Sequence, residues 1–297
     1  MSTVSTINNA LATQYSDMVH LASNQTKSRL RNKVKVIPQD TDTMSYDGLE
    51  GLEAVEVTSR NQKTQGQDIN HTRRRIRTRR FTATILLDPK DDVETIIDPK
   101  KPYAAETAKA LYRQFDRICV EAAFADVYTG RDFDTTKTFA QDGGLTVDAT
   151  AGLTYEKLLE ASQNFIDNEV GTEMEEDIFF AHSGDEHTAM MKETELTSGD
   201  YVRDFAIEKG KIVRVLGWET VAFGGNMKKP ILSVNSGTRD CVLASTRGIV
   251  VGVSKELTVK ISERDDLNYS TQVFAEMIMG ATRTEGTLVQ KFQTTAS

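Results

Sequence analysis

The chain has 297 residues, a formal net charge of −8, and 38% hydrophobic and 27% charged residues. This length allows one or two domains with a sizeable core, and no apolar run approaches the roughly 20 residues that a membrane span needs. The N-terminus lacks the features of a signal peptide, and two cysteines, Cys119 and Cys241, fit reduced thiols of a cytosolic compartment. The negative net charge argues against a protein whose main function is to bind nucleic acid, because such proteins need a basic surface.

Residues 1–45 are polar and weakly patterned, and they include the basic run KSRLRNKVKV. Apolar residues between Leu11 and Ala22 are spaced for one short helix. The segment offers too little apolar area to fold alone, so we expect an arm that orders against another surface.

Residues 46–98 hold two extended segments, a strand-like stretch near Leu49–Ser59 and the stretch His71 to Asp88. A polar run, Arg60 to Asn70, joins them, which predicts a long β-hairpin. The second segment reads HTRRRIRTRRFTATILLD. Between His71 and Arg80 it contains six arginines and no acid, a charge of +6, so the rest of the chain carries −14.

The arginines of this segment form a row if the segment is one strand. Side chains alternate along a strand, so Arg73, Arg75, Arg77 and Arg79 would share one face, with Arg74 and Arg80 beside Ile76 on the other. Guanidinium groups in a row repel one another, so something anionic must lie against them.

Three surroundings for this row remain open. We favour carboxylates of a neighbouring subunit, because Arg is the preferred residue for bidentate carboxylate pairing. The alternatives are a nucleic-acid phosphate backbone and a merely solvated strand face. The predicted inter-subunit contact residues are Arg73, Arg75, Arg77, Arg79 and Arg80.

Residues 99–151 contain the clearest helix pattern of the chain, at 104–127. Apolar residues recur at steps of three and four, in one stripe formed by Ala104, Ala108, Leu111, Phe115, Ile118, Ala122 and Ala125. Pro99 and Pro102 close the segment before the helix, because prolines are tolerated at a helix start but not inside a helix.

Residues 152–251 alternate between helix and strand patterns, which suggests a compact α/β unit. A second helix is predicted at 154–170, with Thr154 as N-cap and Gly171 as stop. Its apolar face would be Tyr155, Leu158, Leu159, Ser162 and Ile166. A buried strand at 177–183 is followed by a capping box, Ser183 to Glu186, which starts a short helix. Two further strands are hinged at Gly217.

The final segment, residues 252–297, is β again. Val273, Ala275, Met277, Met279 and Ala281 alternate onto one face of a strand, and GTLVQKFQ is a last strand.

The sequence gives little support for an enzyme. The four histidines show no metal-ligand spacing, and the common nucleotide-binding and nucleophile motifs do not occur. We expect no cofactor and no catalytic residue. An acidic cluster of Glu173, Glu175, Glu176 and Asp177 is either a solvated loop or a partner for arginines on another subunit.

The order of these elements resembles the major capsid protein of tailed bacteriophages, the Hong Kong 97-type fold family. The stretches that carry the resemblance are HTRRRIRTRR leading into ILLD, a D-P-x-x-x-Y segment (Asp98, Pro99, Tyr103), IFFAHSGDEHTAMM, ELTSGDY, GKIVRVLGWE and MGATRTEGTLVQKF. They span nearly the whole chain, and their order is more specific than any one of them.

The resemblance implies an α+β fold with five parts. They are an N-terminal arm (1–45), an extended hairpin or E-loop (46–98), a peripheral domain with its spine helix (99–151), an α/β axial domain (152–251) and a returning β segment of the peripheral domain (252–297). Some relatives crosslink a hairpin lysine covalently, for which Lys63 is the candidate.

The resemblance also implies a structural function. Copies of the chain would form hexamers and pentamers of an icosahedral head around double-stranded DNA, which they would contact weakly and without specificity. The arm starts almost at Met1, so a scaffolding protein would be separate. A portal is a further partner, and a decoration protein is left open. Assembly would occur in the host cytoplasm, away from membranes. The alternative is an encapsulin-like shell that holds an enzyme.

Overall fold

The structure is a computed structural model that describes residues 25–49, 51–52, 54–56, 58–60, 63, 66–88, 100–171, 177–193, 196, 207–208, 211–212, 214–225, 229–235 and 237–296. Several predicted features lie outside these ranges: the short helix near 11–22, Asp98 and Pro99, most of ELTSGDY, and Glu173, Glu175 and Glu176. None of the described helices has the length and apolar character to cross a membrane.

Three helices occur in the described ranges: α1 (Lys100–Phe124), α2 (Tyr155–Asp167) and α3 (Gly184–Lys192), with a 3₁₀ turn at Asp265–Leu267. The strands are β1 (Lys35–Pro38), β2 (Thr43–Leu49), β3 (His71–Arg77), β4 (Arg79–Leu87), β5 (Val127–Thr129), β6 (Thr135–Lys137), β7 (Leu145–Ala149), β8 (Ile178–Ser183), β9 (Ile207–Glu208), β10 (Lys211–Ile212), β11 (Arg214–Val215), β12 (Trp218–Phe223), β13 (Val234–Asn235), β14 (Thr238–Ser245), β15 (Ile249–Arg264), β16 (Ser270–Arg283) and β17 (Val289–Thr295).

The long helix lies against a four-stranded sheet with the strand order β1-β15-β16-β4. Strand β1 runs parallel to β15, and the other pairs are antiparallel. The predicted apolar face of β16 is confirmed, because Val273, Ala275, Met277 and Met279 are all buried. The stripe of α1 is buried over its second half, from Leu111 to Ala122. The helix begins four residues before the predicted start, with Pro102 in its first turn.

A second four-stranded sheet, β2-β3-β5-β6, forms the base of the hairpin. Strand β2 pairs with β3 from Thr43↔Arg77 to Leu49↔His71. The prediction of the first strand near Leu49–Ser59 is wrong, because β2 ends at Leu49 and the described residues of 51–60 form no strand. The second segment, however, is two strands and not one. Strand β3 ends at Arg77, and β4 pairs with β16 in the other sheet.

The two sheets approach each other closely at this junction. Gly280 of β16 lies under the end of β3, where an added Cβ would be 2.0 Å from the Arg77 carbonyl oxygen. Only glycine allows this contact, because any side chain would overlap the backbone.

The largest sheet has the order β11-β12-β8-β14-β17-β7, with β13 paired to β14. All six residues of β8 are buried, as predicted for 177–183. Gly217 has φ +84 between β11 and β12, so the predicted hinge is confirmed. Strands β7 and β17 come from outside residues 152–251, and the sheet is therefore closed by distant parts of the chain.

Helix α2 packs on this sheet with a different face from the predicted one. Leu158, Ala161 and Phe165 are buried, whereas Leu159 and Ile166 are 44% and 60% exposed. The helix carries two overlapping apolar stripes, and contact with the sheet selects the stripe that includes Phe165. Phe165 meets Trp218 edge to face at 6.5 Å.

The ends of α2 and α3 refine the predicted caps. Thr154 occupies the N-cap position of α2, but its side chain makes no capping hydrogen bond, and α2 ends at Asp167, before Gly171. The capping box of α3 has both predicted bonds. The Ser183 hydroxyl accepts from the first-turn backbone, and Glu186 accepts from the Ser183 N–H at 2.9 Å.

Candidate subunit interface

The predicted arginine row is divided between two sheets at Thr78. The Thr78 N–H donates to the Asp42 carbonyl oxygen at 2.9 Å, which holds the break in place. Arg73, Arg75 and Arg77 share one face of the hairpin-base sheet, since all three lie at alternate positions of β3. Arg79 and Arg80 belong to β4, so the prediction of a single face with Arg79 is wrong.

Two of the hairpin-base arginines have carboxylate partners in the same chain. Arg73 donates from Nε to Asp47 Oδ1 at 2.9 Å, and this hydrogen bond raises the pKa of Arg73. Arg77 lies 3.7 Å from Asp42 Oδ2. All four side chains are at least 43% exposed, and such surface pairs contribute little to stability because solvent screens the charges.

The two arginines of β4 also meet acids of their own chain. Arg79 Nη2 lies 3.2 Å from Glu121 Oε2 on α1. Arg80 donates from Nε to Glu276 Oε2 at 2.9 Å, and Lys255 bonds the same carboxylate. The hydrogen bonds from Lys255 and Arg80 hold the pKa of Glu276 below its usual value.

Arg75 differs from its neighbours because its contact is aromatic. Its guanidinium carbon lies 4.0 Å from the centre of the Tyr128 ring, on the adjacent strand β5. Tyr128 is 42% exposed. The predicted row therefore exists as a surface, but the partners that the described residues supply are internal, and the subunit contact itself stays a prediction.

The sequence reasoning gave no role to Arg74, which is the buried arginine of the segment. Arg74 makes a bidentate pair with Asp142, with both N–O distances 2.7 Å. Arg283 donates from Nε to the same carboxylate at 2.9 Å. Burial disfavours the charged form of Asp142, but the two guanidinium groups outweigh it and hold its pKa below the usual value.

Arg283 also completes the end of the long helix. Its Nη1 donates to the carbonyl oxygens of Ala123 and Ala125 at 2.9 and 3.1 Å. These carbonyls have no partner further along the helix, so one buried side chain joins β16, α1 and the hairpin base. The only available sequence signal was the position of Arg283 within MGATRTEG.

The described part of the N-terminal segment is fixed to the same helix by Asp116. The Asp116 carboxylate accepts from the Ser28 hydroxyl at 2.6 Å and from the backbone N–H groups of Arg29 and Leu30 at 3.0 and 3.1 Å. Leu30 is buried beside it, and β1 continues into the sheet. Residues 25–38 thus find their surface on their own chain.

A second buried ionic cluster lies at the start of α3. Arg239 Nη1 bonds the Ser183 hydroxyl at 2.6 Å, Asp185 at 2.7 Å and Glu186 at 3.1 Å. Burial disfavours ionised Glu186, but hydrogen bonds from Ser183 and Thr294 outweigh it and lower the pKa of Glu186 to about 2. The predicted capping residues therefore stabilise the core of the large sheet.

The described residues offer no group of three His, Cys, Asp or Glu side chains placed to hold a metal ion. His182 and His187 show no metal-ligand spacing in the sequence, but their rings stack in the structure, with ring centres separated by 5.6 Å. They meet because β8 turns directly into α3. Cys119 and Cys241 are both buried, which raises their thiol pKa values well above the usual value.

Several solved structures with the same fold come from bacteriophages. The capsid of cyanophage P-SCSP1u matches with a TM-score of 0.71 at 13% identity, over 98% of this chain and 94% of that one. A chain of Mycobacterium phage Che8 matches with 0.69 at 16% identity, over 94% and 96%. A chain from the head of Helicobacter pylori bacteriophage KHP40 matches with 0.69 at 10% identity, over 95% of each.

These likenesses define the fold as that of phage capsid subunits, which the predicted Hong Kong 97-type architecture fits. The sequence itself matches the family model described as phage capsid protein over residues 7–294. The chain therefore belongs to the phage capsid protein family, and its role is that of a structural capsid protein. A comparison with curated protein sequences gives no match.

Proposed function

We propose that this chain is the subunit that assembles into the hexamers and pentamers of an icosahedral phage head around double-stranded DNA. The observation that carries the proposal is the family match over residues 7–294, together with a fold that phage-head chains share along almost their full length. The encapsulin-like alternative is not favoured, because both comparisons lead to phage capsids.

We assign a structural role to each of the five parts of the chain. The arm (1–45), the hairpin (46–98) and the peripheral segments (99–151 and 252–297) make up the peripheral part of the subunit. Among their described residues, Arg29, Leu30, β4, β15 and β16 contact α1. Residues 152–251 form the axial unit. Strands β7 and β17 extend the axial sheet beyond these boundaries, and they tie the two units into one body.

The hairpin supports the assembly proposal through its exposed apolar side chains. Leu49, Leu52 and Val55 are 63%, 53% and 52% exposed, and Ile69 is 40% exposed. Grouped apolar side chains of this kind mark interaction surfaces. The arginine face at the hairpin base adds charge beside them, and we assign Arg73, Arg75, Arg77, Arg79 and Arg80 to the subunit contact. Phosphate contact is the alternative role for this face.

The proposal extends to the partners of assembly. A separate scaffolding protein and a portal act in the host cytoplasm before DNA enters, and a decoration protein is a further candidate. The net charge of −8 suits a wall that contains DNA without binding it tightly. A uniformly basic inner wall in an assembled shell would contradict this last point.

Electron microscopy of the purified protein tests the main proposal. We expect rings or closed shells, formed alone or together with a candidate scaffolding protein. Particles that contain DNA would support a phage head. Particles that contain an enzyme would support the encapsulin-like alternative instead. A protein that stays monomeric at every concentration and with every scaffold would contradict self-assembly.

A further inference from the structure

Arg75 and Tyr128 form an ordered pair on the exposed face of the hairpin-base sheet. Strands β3 and β5 are antiparallel, with Arg74 opposite Thr129, so Arg75 and Tyr128 occupy the next rung. The guanidinium carbon lies 4.0 Å from the ring centre. At this distance the negative face of the ring attracts the guanidinium in a cation–π contact, which restrains the arginine side chain.

The charge of Arg75 is unmatched within the described residues, which supply it with no carboxylate and no hydrogen-bond acceptor. Its neighbours on the same face differ, because Arg73 bonds Asp47 and Arg77 faces Asp42. A cation–π contact engages the positive charge of the guanidinium and supplies no oxygen acceptor, so the N–H donors of Arg75 remain available to a carboxylate.

We propose that the Arg75–Tyr128 pair is the docking point for a carboxylate of a second copy of this chain, supplied by the acidic run 173–177. This inference rests on the proposed capsid function and names a contact within it. Arg and Tyr are the residue types that most often carry interface energy. An arginine already held in place loses less conformational entropy when a partner binds.

Charge complementarity selects the occupant. The run from Glu173 to Asp177 has four carboxylates in five residues and no other run of the chain is as dense in acids. Asp177, its described member, is exposed. Arg75 is a single guanidinium without a carboxylate among the described residues, and it lies between Arg73 and Arg77, which each have one. Its charge can therefore be balanced by one carboxylate. A DNA backbone would instead meet Asp47 and Asp42 beside Arg75, whereas phosphate binding draws on several unpaired cations together.

The first experiment compares Arg75→Ala with Arg131→Ala in the full chain. Arg131 is an exposed arginine between β5 and β6 of the same sheet, and it is not among the residues assigned to the subunit contact. We expect about tenfold slower assembly by light scattering for Arg75→Ala, as for loss of an interface hot spot, and little change for Arg131→Ala. Arg75→Lys keeps the charge and loses the two-pronged donor, so we expect an intermediate rate.

Tyr128 supplies an independent readout. Tyr128→Phe keeps the aromatic face and should assemble normally, whereas Tyr128→Leu should slow assembly, because the guanidinium is no longer held. Circular dichroism and melting curves of the unassembled variants identify any that fail to fold, and only folded variants are compared. Equal rates for folded Tyr128→Leu and Tyr128→Phe would overturn the role of the ring.

A charge exchange identifies the partner. Arg75→Glu should prevent shell formation, and adding Glu175→Arg and Glu176→Arg to the same chain should restore it, because every copy then carries both exchanged partners. Failure to restore shells would overturn the assignment to 173–177. Normal shells of Arg75→Ala with less DNA inside would also overturn the proposal, in favour of phosphate contact.

Failure of this inference and failure of the proposed function give different results. If the unchanged protein forms no shells under any condition, the capsid assignment fails. If it forms shells and Arg75→Ala forms them at the same rate as Arg131→Ala, the capsid assignment stands and the Arg75–Tyr128 docking point is wrong.

Discussion

At the scale of single residues, the buried charges of this protein occur in groups that join distant segments. Arg74, Asp142 and Arg283 are almost fully buried, with side chains 7%, 2% and 0% exposed. Removing one member of such a group leaves the others charged in a medium of low polarity, which is strongly destabilising. These residues therefore fix the position of the hairpin base relative to α1 and β16.

Asp142→Asn should destabilise the unassembled subunit by about 3 kcal/mol or more, because two buried guanidinium groups lose the carboxylate that both of them bond. Chemical denaturation of the subunit measures this. Asp132→Asn removes an exposed charge from the same connecting segment and serves as the control. Equal denaturation midpoints for the two variants would show that the buried group does not stabilise the fold.

The low pKa of Glu186 in the folded protein predicts that the free energy of unfolding falls in acid. Its folded pKa is about 2 against a usual value of 4.5, so its contribution is present above pH 4.5 and is lost as the pH falls from 4.5 to about 2. A shift of this size corresponds to roughly 3 kcal/mol. Unfolding free energies at pH 5, 4 and 3 should fall less steeply for Glu186→Gln than for the unchanged protein.

The control for this experiment is Glu156→Gln, which removes an exposed carboxylate from α2. It should keep the acid slope of the unchanged protein. The same slope for Glu186→Gln would contradict the assignment of that slope to the Glu186 cluster.

At the scale of elements, α1 organises its surroundings through polar contacts as well as through its apolar stripe. Asp116 holds residues 25–30, Glu121 meets Arg79, and Arg283 bonds the carbonyls at the C-terminal end. The helix is therefore the common support of the N-terminal segment, β4 and β16. Its apolar periodicity predicted its existence, but not these attachments.

Asp116→Ala should release residues 25–30 from α1, because four donors lose their shared acceptor. Limited trypsin digestion measures the release, since Lys27, Arg29 and Arg31 lie in or beside this segment. We expect cleavage at these sites to become at least several-fold faster. Glu121→Ala removes an exposed acid from the same helix, and its cleavage there should match the unchanged protein. If Asp116→Ala is cut no faster, the carboxylate is not the anchor.

At the scale of the whole molecule, the subunit combines a buried core with a hairpin whose surface carries exposed apolar and charged side chains. The large sheet and the α1 sheet bury continuous apolar faces. The hairpin instead exposes apolar side chains beside a guanidinium that has no carboxylate among the described residues. A shell of identical subunits can cover such surfaces, because each copy presents both the hairpin and the surface that a neighbour's hairpin contacts.

Assembly should slow as salt rises if charge pairing guides the subunits together. The screening length falls from about 10 Å at 0.1 M to about 3 Å at 1 M ionic strength, which weakens attraction between exposed charges. Light-scattering rates measured over this range should fall severalfold for the unchanged protein and less for Arg75→Ala. A rate that rises with salt would show that apolar burial on the hairpin controls association.

Local patterns explain which expectations were correct. The stripe of α1, the alternation in β16, the buried strand β8 and the Ser183–Glu186 capping box each depend on residues close together in sequence. The order of short motifs was enough to indicate the capsid fold. The face of α2 could not be read in this way, because its two apolar stripes differ only in what the adjoining sheet covers.

Local patterns were sufficient to predict the main helix and most core strands, because periodicity and turn residues act over a few positions, and the order of motifs indicated the capsid family. The first hairpin strand at Thr43–Leu49, the break at Thr78, the burial of Arg74 and the pairing of Arg75 with Tyr128 are visible only in the folded chain. These depend on contacts across the fold, such as those joining Asp142 to partners 68 and 141 residues away. Burial of a charge is settled by which partners the folded chain brings within hydrogen-bond distance, and no local pattern contains that information.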